Sequence, residues 1–253
     1  MHPALEFTQH RPWPIPAGQP YMTMDWLELS FLHWSVDPAQ LRPMLPAGLE
    51  LDTWEGRAWL GVVPFRMENV NPTHYKLPRI MSAFPELNLR TYVVANGKPG
   101  VWFFSLEATN PLAVRTARAK FNLPYYDARI RHSMDKGVVS FRCKRVHRGA
   151  PPLEFDADFS GAGEVFQAMP GSLEHWLCER YCLYSADNKG RISRGDVHHR
   201  PWPLQAGSVE MEENTVFQQL GLDLPEQPEH VLYSAGVQCL GWRPEELGGQ
   251  TIV

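Results

Sequence analysis

The dipeptide Asn96-Gly97 lies between two stretches in which side chains of one character alternate with those of another. Asn-Gly is typical of a two-residue β-hairpin turn, because both positions tolerate the positive φ angles that the turn needs. A period of two is typical of strands that turn one face toward a core. We therefore predict that strands near residues 87–95 and 100–107 pair antiparallel across this turn.

Alternating segments of the same kind recur along the chain, and they make strands the dominant predicted element. The 23 prolines and 9 tryptophans are also typical of a β-rich protein with shaped loops. Strands are predicted at 26–34, 58–65, 85–94, 101–107, 125–129, 137–146, 153–159, 191–202 and 231–242. Residues 66–85 lack periodicity, and we expect a long loop there that acts as a lid or a pocket wall.

Helix signals are few and short. Asn110 is a good N-cap and Pro111 suits the first helical position, so a helix is predicted that ends before Pro124. A helical turn is predicted after Asp37-Pro38, a second helix over residues 173–183, and a third over residues 207–222. The chain is therefore expected to be β-dominated, with a few short helices.

The chain is expected to form one domain, since 253 residues with 43% hydrophobic side chains can build one large core. We predict an irregular proline-rich arm over residues 1–20, a single domain over residues 21–243, and a loose tail over residues 244–253. The segment His10–Gly18 is nearly repeated at His199–Gly207. One short echo does not establish a duplication, so it indicates either two similar Trp-Pro turns or a coincidence.

Composition excludes several classes of function. The net charge is −4 and no long basic run occurs, which argues against nucleic acid as a partner. No apolar run approaches the ~20 residues of a membrane span, and no signal peptide is recognised. We therefore expect a cytoplasmic protein with reduced thiols and no membrane partner. Cys178 and Cys182 are expected to be two packed thiols on one helix face, and no metal ligand set or cofactor motif is found.

A set of polar side chains falls where the strands could bring it together. Glu86 and Arg90 share a strand face, and an arginine can bind a carboxylate through two parallel hydrogen bonds. Alternatively, the arginines form structural ion pairs with the glutamates, since buried charges must be paired, and the tyrosines are packed in the core. The candidate pocket residues are Glu86, Arg90, Glu107, Tyr125, Tyr126, Arg129 and His198.

His198 and His199 are adjacent on a predicted strand, so their rings should point to opposite faces. One ring is expected to face the interior and the other to face water. Histidine titrates near neutral pH, which makes either ring a candidate for proton transfer. The alternative for these rings, as for His33 on its apolar strand face, is a hydrogen-bonded core histidine.

Several ordered motifs resemble a known family. They are RPWPIP, FLHWSVDPAQLRPMLPAGLELD, AWLGVVPFRM, FPELNLRTYV, FFSLEATNPLAVRTARAKFNLPYY, SLEHWLCERYCLY and VHHRPWPL. Together they are similar to the uncharacterised bacterial YqjF-like family, the domain of unknown function 2071. More remotely, the chain resembles the acetoacetate decarboxylase-like superfamily. That resemblance implies a β-rich α+β fold: a single antiparallel cone-like β-barrel or curved sheet, with short helices outside and a pocket inside.

The resemblance also bears on chemistry. In the decarboxylases a proline precedes two adjacent lysines, of which the first forms a Schiff base and the second lowers its pKa. The resemblance places Tyr125 and Tyr126, after Pro124, at these two positions. A phenol cannot form an imine, so Schiff-base decarboxylation is not expected. The resemblance further implies that Glu86 lines the pocket.

Three functions are compatible with the sequence. The first is a protein that binds an unidentified small carboxylate or keto-type molecule in a barrel pocket. The second is an enzyme without a catalytic lysine, which uses a tyrosine and a glutamate for proton transfer on a keto acid or enol. The third is a protein-interaction module that uses its Trp-Pro loops. A homo-oligomer is compatible with each of the three.

Overall fold

A single sheet of 13 strands dominates the computed structural model, which describes residues 2–248. The strands are β1 Met22–Val36, β2 Glu50–Leu51, β3 Ala58–Pro72, β4 Phe84–Ala95, β5 Lys98–Ala108, β6 Tyr125–Asp135, β7 Val138–Arg145, β8 Glu154–Phe166, β9 Cys182–Ala186, β10 Ile192–His198, β11 Leu204–Asn214, β12 His230–Gly241 and β13 Glu245–Glu246. Their order is β13-β10-β9-β5-β6-β7-β8-β11-β12-β1-β3-β4-β2. Because β5 also pairs with β4, the hydrogen-bonded order returns on itself and the sheet curves around an interior.

Short helices cover parts of this sheet. Within the described residues the α-helices are α1 Pro38–Leu41, α2 Arg79–Ser82, α3 Pro111–Phe121 and α4 Leu173–Cys178, and 3₁₀ helices occupy Pro3–Glu6, Arg42–Met44 and Val216–Leu220. None of these helices has both the length and the apolar character needed to span a membrane. The predicted fold class, a β-rich curved sheet with few helices, is confirmed.

The hairpin predicted at Asn96-Gly97 is present. Ala95 pairs with Lys98, and the pairing continues antiparallel to Glu86 opposite Ala108. Asn96 has φ 50° and Gly97 has φ 70°, which are the positive angles that the turn requires. This turn therefore fixes the register of β4 against β5.

Helix α3 begins and ends where the sequence predicts. The Asn110 Oδ1 atom accepts hydrogen bonds from the backbone N–H groups of Leu112 at 3.1 Å and Ala113 at 3.2 Å. Asn122 ends the helix in the left-handed conformation, with φ 52°. The helix connects β5 to β6, which run parallel, and β9 also pairs parallel with β5. The expectation of a wholly antiparallel sheet is therefore wrong, because the crossover through α3 returns the chain to the same end of the sheet.

Several predicted boundaries also need correction. Most of the expected loop over residues 66–85 is regular secondary structure, since β3 extends to Pro72 and α2 follows at residues 79–82. The helix predicted over residues 173–183 ends at Cys178, and Cys182 begins β9. Residues 207–222 form most of β11 and a 3₁₀ helix instead of an α-helix, because β11 is held between β8 and β12.

The two ends of the chain pack against the same strand. In the arm, the Trp13 Nε1 atom donates a 2.8 Å hydrogen bond to Asp196 on β10, and Arg11 forms an ion pair with the same carboxylate at 3.4 Å. In the tail that we expected to be loose, Glu245–Glu246 pairs with β10 as β13. The last part of that tail, residues 249–253, lies outside the described residues.

Candidate functional site

A cavity of about 410 Å³ lies between the inner face of the sheet and helix α3. Its walls are predominantly apolar, and they include Met24, Trp26, Leu29, Phe31, Val63, Phe65, Met67, Phe84, Phe103, Leu106, Ala113, Ala117, Phe121 and Trp202. The polar exceptions on β4 are three alternate residues, Glu86, Asn88 and Arg90. Alternate residues of a strand point to the same face, so β4 supplies a polar strip to an otherwise apolar chamber.

Glu86 is a buried carboxyl group, with 2% of its surface exposed. Its Oε2 atom accepts a 2.7 Å hydrogen bond from the Tyr125 hydroxyl. Burial raises the pKa of Glu86 to about 8, and hydrogen bonds from Tyr125 and Asn88 oppose that shift only in part. Glu86 is therefore largely protonated at neutral pH, and its carboxyl group can donate as well as accept a proton.

Arg90 is a cation with no anionic partner in the part of the chain that the structure describes. Its Nε and Nη2 atoms are buried and have no hydrogen-bond partner among residues 2–248. Its guanidinium carbon lies 5.4 Å from the centre of the Phe31 ring and 5.7 Å from that of Tyr92. Gly61, opposite Arg90 on β3, makes room for it, since a Cβ atom at Gly61 would lie 3.2 Å from the Arg90 Cγ atom. The Arg90 guanidinium group thus packs against two aromatic rings and faces the cavity.

A second guanidinium, that of Arg180, lines the same cavity. Its Nη1 atom donates a 2.6 Å hydrogen bond to Asp52, and its Nε atom donates to the Trp176 carbonyl at 2.6 Å. Its Nη2 atom is buried and has no partner in the described part of the chain. Arg180 and Arg90 both pack against the Tyr92 ring. Arg180 is not among the predicted pocket residues, because no local pattern relates it to Asp52, which lies 128 residues away.

Tyr125 lies at the start of β6, directly after the turn that follows α3. Its hydroxyl group reaches Glu86, and burial raises the pKa of Tyr125 well above its usual range. The phenol therefore stays protonated and acts as a hydrogen-bond donor. Glu86, Arg90 and Tyr125 are the three predicted pocket residues that the structure brings to one cavity.

Glu107 and Tyr126 lie away from this cavity, contrary to our expectation. The Glu107 carboxylate is completely buried and accepts a 3.1 Å hydrogen bond from the Arg145 Nε atom, with a second bond from Arg145 Nη2. The Tyr126 ring packs on the Arg145 guanidinium, 4.1 Å from the ring centre. Glu107 therefore forms a structural ion pair, which was the alternative to a role in the pocket. Its partner, Arg145, was not among the arginines considered from the sequence.

Arg129 and His198 also lie outside the cavity. Arg129 is exposed on β6. His198 is buried beneath the N-terminal arm, where its Nε2 atom lies 2.8 Å from the Ala4 carbonyl oxygen. Burial lowers the pKa of His198 to about 4, so it is neutral at physiological pH. The arm, which the strand pattern could not place, is what removes this ring from water.

His199 takes the position near the cavity that we had assigned to His198. Its ring stacks on Tyr181 with 4.9 Å between centres, and it is 1% exposed. The expectation that one of the two histidines faces water is therefore wrong. His33 is a core histidine, whose Nε2 atom lies 2.7 Å from the Tyr92 hydroxyl.

Two buried thiols, those of Cys178 and Cys182, line the cavity. All four cysteines are buried and unpaired, and Cys178 and Cys182 lie on different elements instead of on one helix face. No group of three or more potential metal ligands occurs between residues 2 and 248. Of the lysines in that range, none lines the cavity, and Lys120 is exposed on α3.

Comparison with known proteins gives one family and one fold. The family DUF2071, described as an uncharacterized conserved protein, matches residues 23–238. The uncharacterized protein YqjF of Bacillus subtilis (strain 168) is 38% identical over 228 residues, which cover 90% of this chain and 93% of that protein. The resemblance inferred from the sequence motifs is therefore confirmed.

Solved structures of acetoacetate decarboxylase-like proteins share the fold. The acetoacetate decarboxylase of Legionella pneumophila matches with a TM-score of 0.61 and 15% identity, over 95% of this chain and 93% of that one. The enduracididine biosynthesis enzyme MppR, in complex with pyruvate, matches with a TM-score of 0.64 and 13% identity, over 91% of both chains. At these identities the similarity concerns the fold alone.

Proposed function

Since the chain belongs to the DUF2071 family of uncharacterized conserved proteins and has an acetoacetate decarboxylase-like fold, we propose that it binds a carboxylate of the keto-acid type in the cavity beside β4. The observation that carries this proposal is Arg90, whose buried Nε and Nη2 atoms have no protein partner within residues 2–248. A protein-binding role for the Trp-Pro segments is less well supported, because Trp202 is 2% exposed and Trp13 donates to Asp196.

The chemistry of Arg90 favours an anion of this shape. Nε and Nη2 lie on one edge of the guanidinium and donate in parallel, which matches the two oxygens of a carboxylate. An uncompensated cation in an apolar chamber is costly unless an anion completes it. Arg180 adds a further donor, Nη2, without a partner in the described residues, and its own charge is already balanced by Asp52. The two arginines thus leave one positive charge for a ligand.

Two observations support a keto group in the ligand: the position of Glu86, and a bound keto acid in a protein of the same fold. A protonated Glu86, fixed by Tyr125, can donate a hydrogen bond to a carbonyl oxygen. MppR, which shares the fold, binds pyruvate. Schiff-base chemistry is not part of the proposal, because the cavity lining within the described range contains no lysine and Tyr125 holds the matching position.

Thermal stabilisation by pyruvate and by acetoacetate tests the carboxylate site. We expect both acids, at millimolar concentration, to raise the Tm of the native protein, because a ligand that binds only the folded state stabilises it. Arg90→Met should weaken binding about 10- to 100-fold, the loss expected when hydrogen bonds to a charged group worth ~1.5–3 kcal/mol are removed. Arg129→Met is the matched control, since that arginine is exposed and outside the cavity. Equal stabilisation of the Arg90→Met and Arg129→Met variants would show that Arg90 is not the anchor.

A second candidate function is proton transfer on the bound keto acid, with Glu86 as acid and base. The raised pKa of Glu86 supports it, because a group that titrates near the working pH exchanges protons most effectively. Incubation of 2-oxobutanoate in D₂O, followed by proton NMR, measures exchange at the carbon beside the keto group. We expect the native protein to accelerate this exchange and Glu86→Gln to abolish the acceleration while leaving binding of the acid intact. An unchanged exchange rate with the native protein would leave binding as the only function.

A further inference from the structure

We infer that the ligand of this cavity is a monocarboxylate with a long unbranched apolar tail, of medium-chain fatty acid or oxo-acid size, instead of a two- to four-carbon keto acid. The inference rests on the proposed function, because it keeps Arg90 as the anchor of the carboxylate. What it adds is the part of the ligand that the arginine does not touch. That part follows from how the polar and apolar residues are ordered along the cavity.

The polar strip on β4 is graded from one end to the other. Arg90 lies opposite Gly61, Glu86 lies opposite Phe65, and Phe84 lies opposite Met67. Six residues separate Arg90 from Phe84, which places their Cα atoms ~20 Å apart at ~3.3 Å per residue of strand. A carboxylate at Arg90 therefore occupies one end of the chamber, and any atoms of the ligand beyond Glu86 meet an apolar wall.

The side chains beside Arg90 are buried. His33 and Tyr92 are fully buried there, and Cys178 is 3% exposed. The Arg180 side chain, which is 5% exposed, packs against the Tyr92 ring on the same side. The charged group of a ligand is thus at the bottom of the chamber, so the remainder of the molecule must extend toward the other end.

The opposite end lies between α2 and α3 and carries apolar side chains that reach solvent. Met81 on α2 and Leu112 on α3 line the cavity, and Leu112 is 55% exposed. The Asn110 Nδ2 atom donates a 2.9 Å hydrogen bond to the Met81 carbonyl, which ties the two helices together at this opening. Apolar residues on both sides of an opening suit the passage of an apolar chain better than that of a small, strongly hydrated acid.

The walls near this opening are suited to a flexible tail. Four methionines, at positions 22, 24, 67 and 81, line the cavity. Methionine side chains are unbranched and polarisable, so they adapt to different chain shapes and lengths. A ligand that ended near Glu86 would leave these side chains facing water.

The volume fits the same ligand. A cavity of about 410 Å³ holds about a dozen non-hydrogen atoms, at the ~30 Å³ that one water-sized group occupies. Pyruvate fills about half of that room, whereas a ten-carbon acid fills it. Space and polarity therefore both indicate a chain of roughly that size.

Calorimetric titration with butanoate, hexanoate, octanoate, decanoate and tetradecanoate tests the inference on the native protein. Each buried CH₂ group contributes ~0.8 kcal/mol, so Kd should fall about fourfold per carbon until the cavity is filled near decanoate. Decanol should bind at least tenfold more weakly than decanoate, since it lacks the charge that Arg90 pairs with. A flat dependence on chain length would overturn the inference.

A pair of alanine variants on α3 provides the matched control. Ala117 lines the cavity and Ala119 is exposed on the same helix. Ala117→Phe should weaken decanoate binding at least tenfold and leave butanoate binding unchanged, whereas Ala119→Phe should change neither. Equal decanoate affinity in the native protein and both variants would place the tail elsewhere and overturn the inference.

Different results would contradict the long apolar tail and the carboxylate site at Arg90. If short keto acids bind as tightly as decanoate and Arg90→Met still abolishes their binding, the ligand has no long apolar tail, but Arg90 still binds its carboxylate. If Arg90→Met binds the whole series with native affinity, the carboxylate site fails and the inference fails with it.

Discussion

The Tyr125 hydroxyl group donates a 2.7 Å hydrogen bond to Glu86, although the two residues belong to strands that do not pair with each other. Glu86 lies on β4 and Tyr125 on β6, with β5 between them. The bond therefore bridges over β5 and couples the protonation of a buried carboxyl group to the position of the chain after α3.

The stability of the protein should fall as pH rises from about 5 to 8. The pKa of Glu86 is about 8 in the folded state and has an ordinary value of 4.5, so in this window the folded state binds the proton and the unfolded state releases it. Relative to Glu86→Gln, the native protein should lose roughly 2.5 kcal/mol of unfolding free energy between pH 5 and pH 7. Urea unfolding at several pH values measures this difference. Glu164→Gln, at an exposed position, should keep the native pH dependence, and a Glu86→Gln variant with that same dependence would contradict the prediction.

Removal of the Tyr125 hydroxyl should raise the pKa of Glu86 further. The hydrogen bond from Tyr125 stabilises the ionised carboxylate and so lowers this pKa. In Tyr125→Phe we expect the Glu86 pKa to increase by about one unit, the equivalent of one hydrogen bond. Carbon-13 NMR of the labelled glutamate carboxyl group follows the titration directly. A decrease in the Glu86 pKa would mean that the hydroxyl acts mainly on the neutral form.

The ion pair between Glu107 and Arg145 should be essential for stability. Both side chains are 1% or less exposed, so Arg145→Met leaves a buried carboxylate without a cationic partner and should cost ~3–5 kcal/mol of unfolding free energy. Chemical denaturation measures the loss, and Arg129→Met should cost less than ~0.5 kcal/mol because that residue is exposed. The double variant Glu107→Gln with Arg145→Met should recover part of the loss, since no buried charge is left. No recovery would show that packing of Arg145, for example on Tyr126, accounts for its effect.

No imine should form with acetoacetate. Schiff-base chemistry needs an unprotonated amine in the cavity, and none of the lysines between residues 2 and 248 lines it. Treatment with borohydride in the presence of acetoacetate, followed by mass analysis, should leave the protein mass unchanged. A stable adduct on Lys120, or on another lysine mapped to the cavity, would show that an amine reaches the site after all.

The elements that could be predicted from the sequence are those whose signals are local. The hairpin at Asn96-Gly97 depends on two adjacent residues, and α3 depends on Asn110 and Pro111, so both follow from short-range chemistry. Residues 207–222 were misread because their strand character comes from pairing with β8 and β12, which are distant in the sequence. Tertiary pairing overrode the local preference there.

In the site, too, positions that depend on local sequence could be predicted, and positions that depend on distant contacts could not. Glu86 and Arg90 could be placed together because alternation on a single strand fixes their common face. Arg180 could not, since its position in the cavity depends on Asp52, 128 residues away. Glu107 was placed wrongly because its partner, Arg145, is 38 residues away and nothing local indicates the pair. Burial of His198 depends on the arm, which contacts it through Ala4.

The polar strip on β4 has a consequence for how such a protein can change. Three of the polar groups that line the cavity occupy alternate positions of β4, whereas most of its apolar walls lie on β1, β3, β5 and α3. Substitutions at positions 86, 88 and 90 can therefore alter the reactive groups without altering the capacity of the chamber, and substitutions on α3 can do the reverse. Relatives with the same fold are free to diverge in reaction and in ligand size independently of each other.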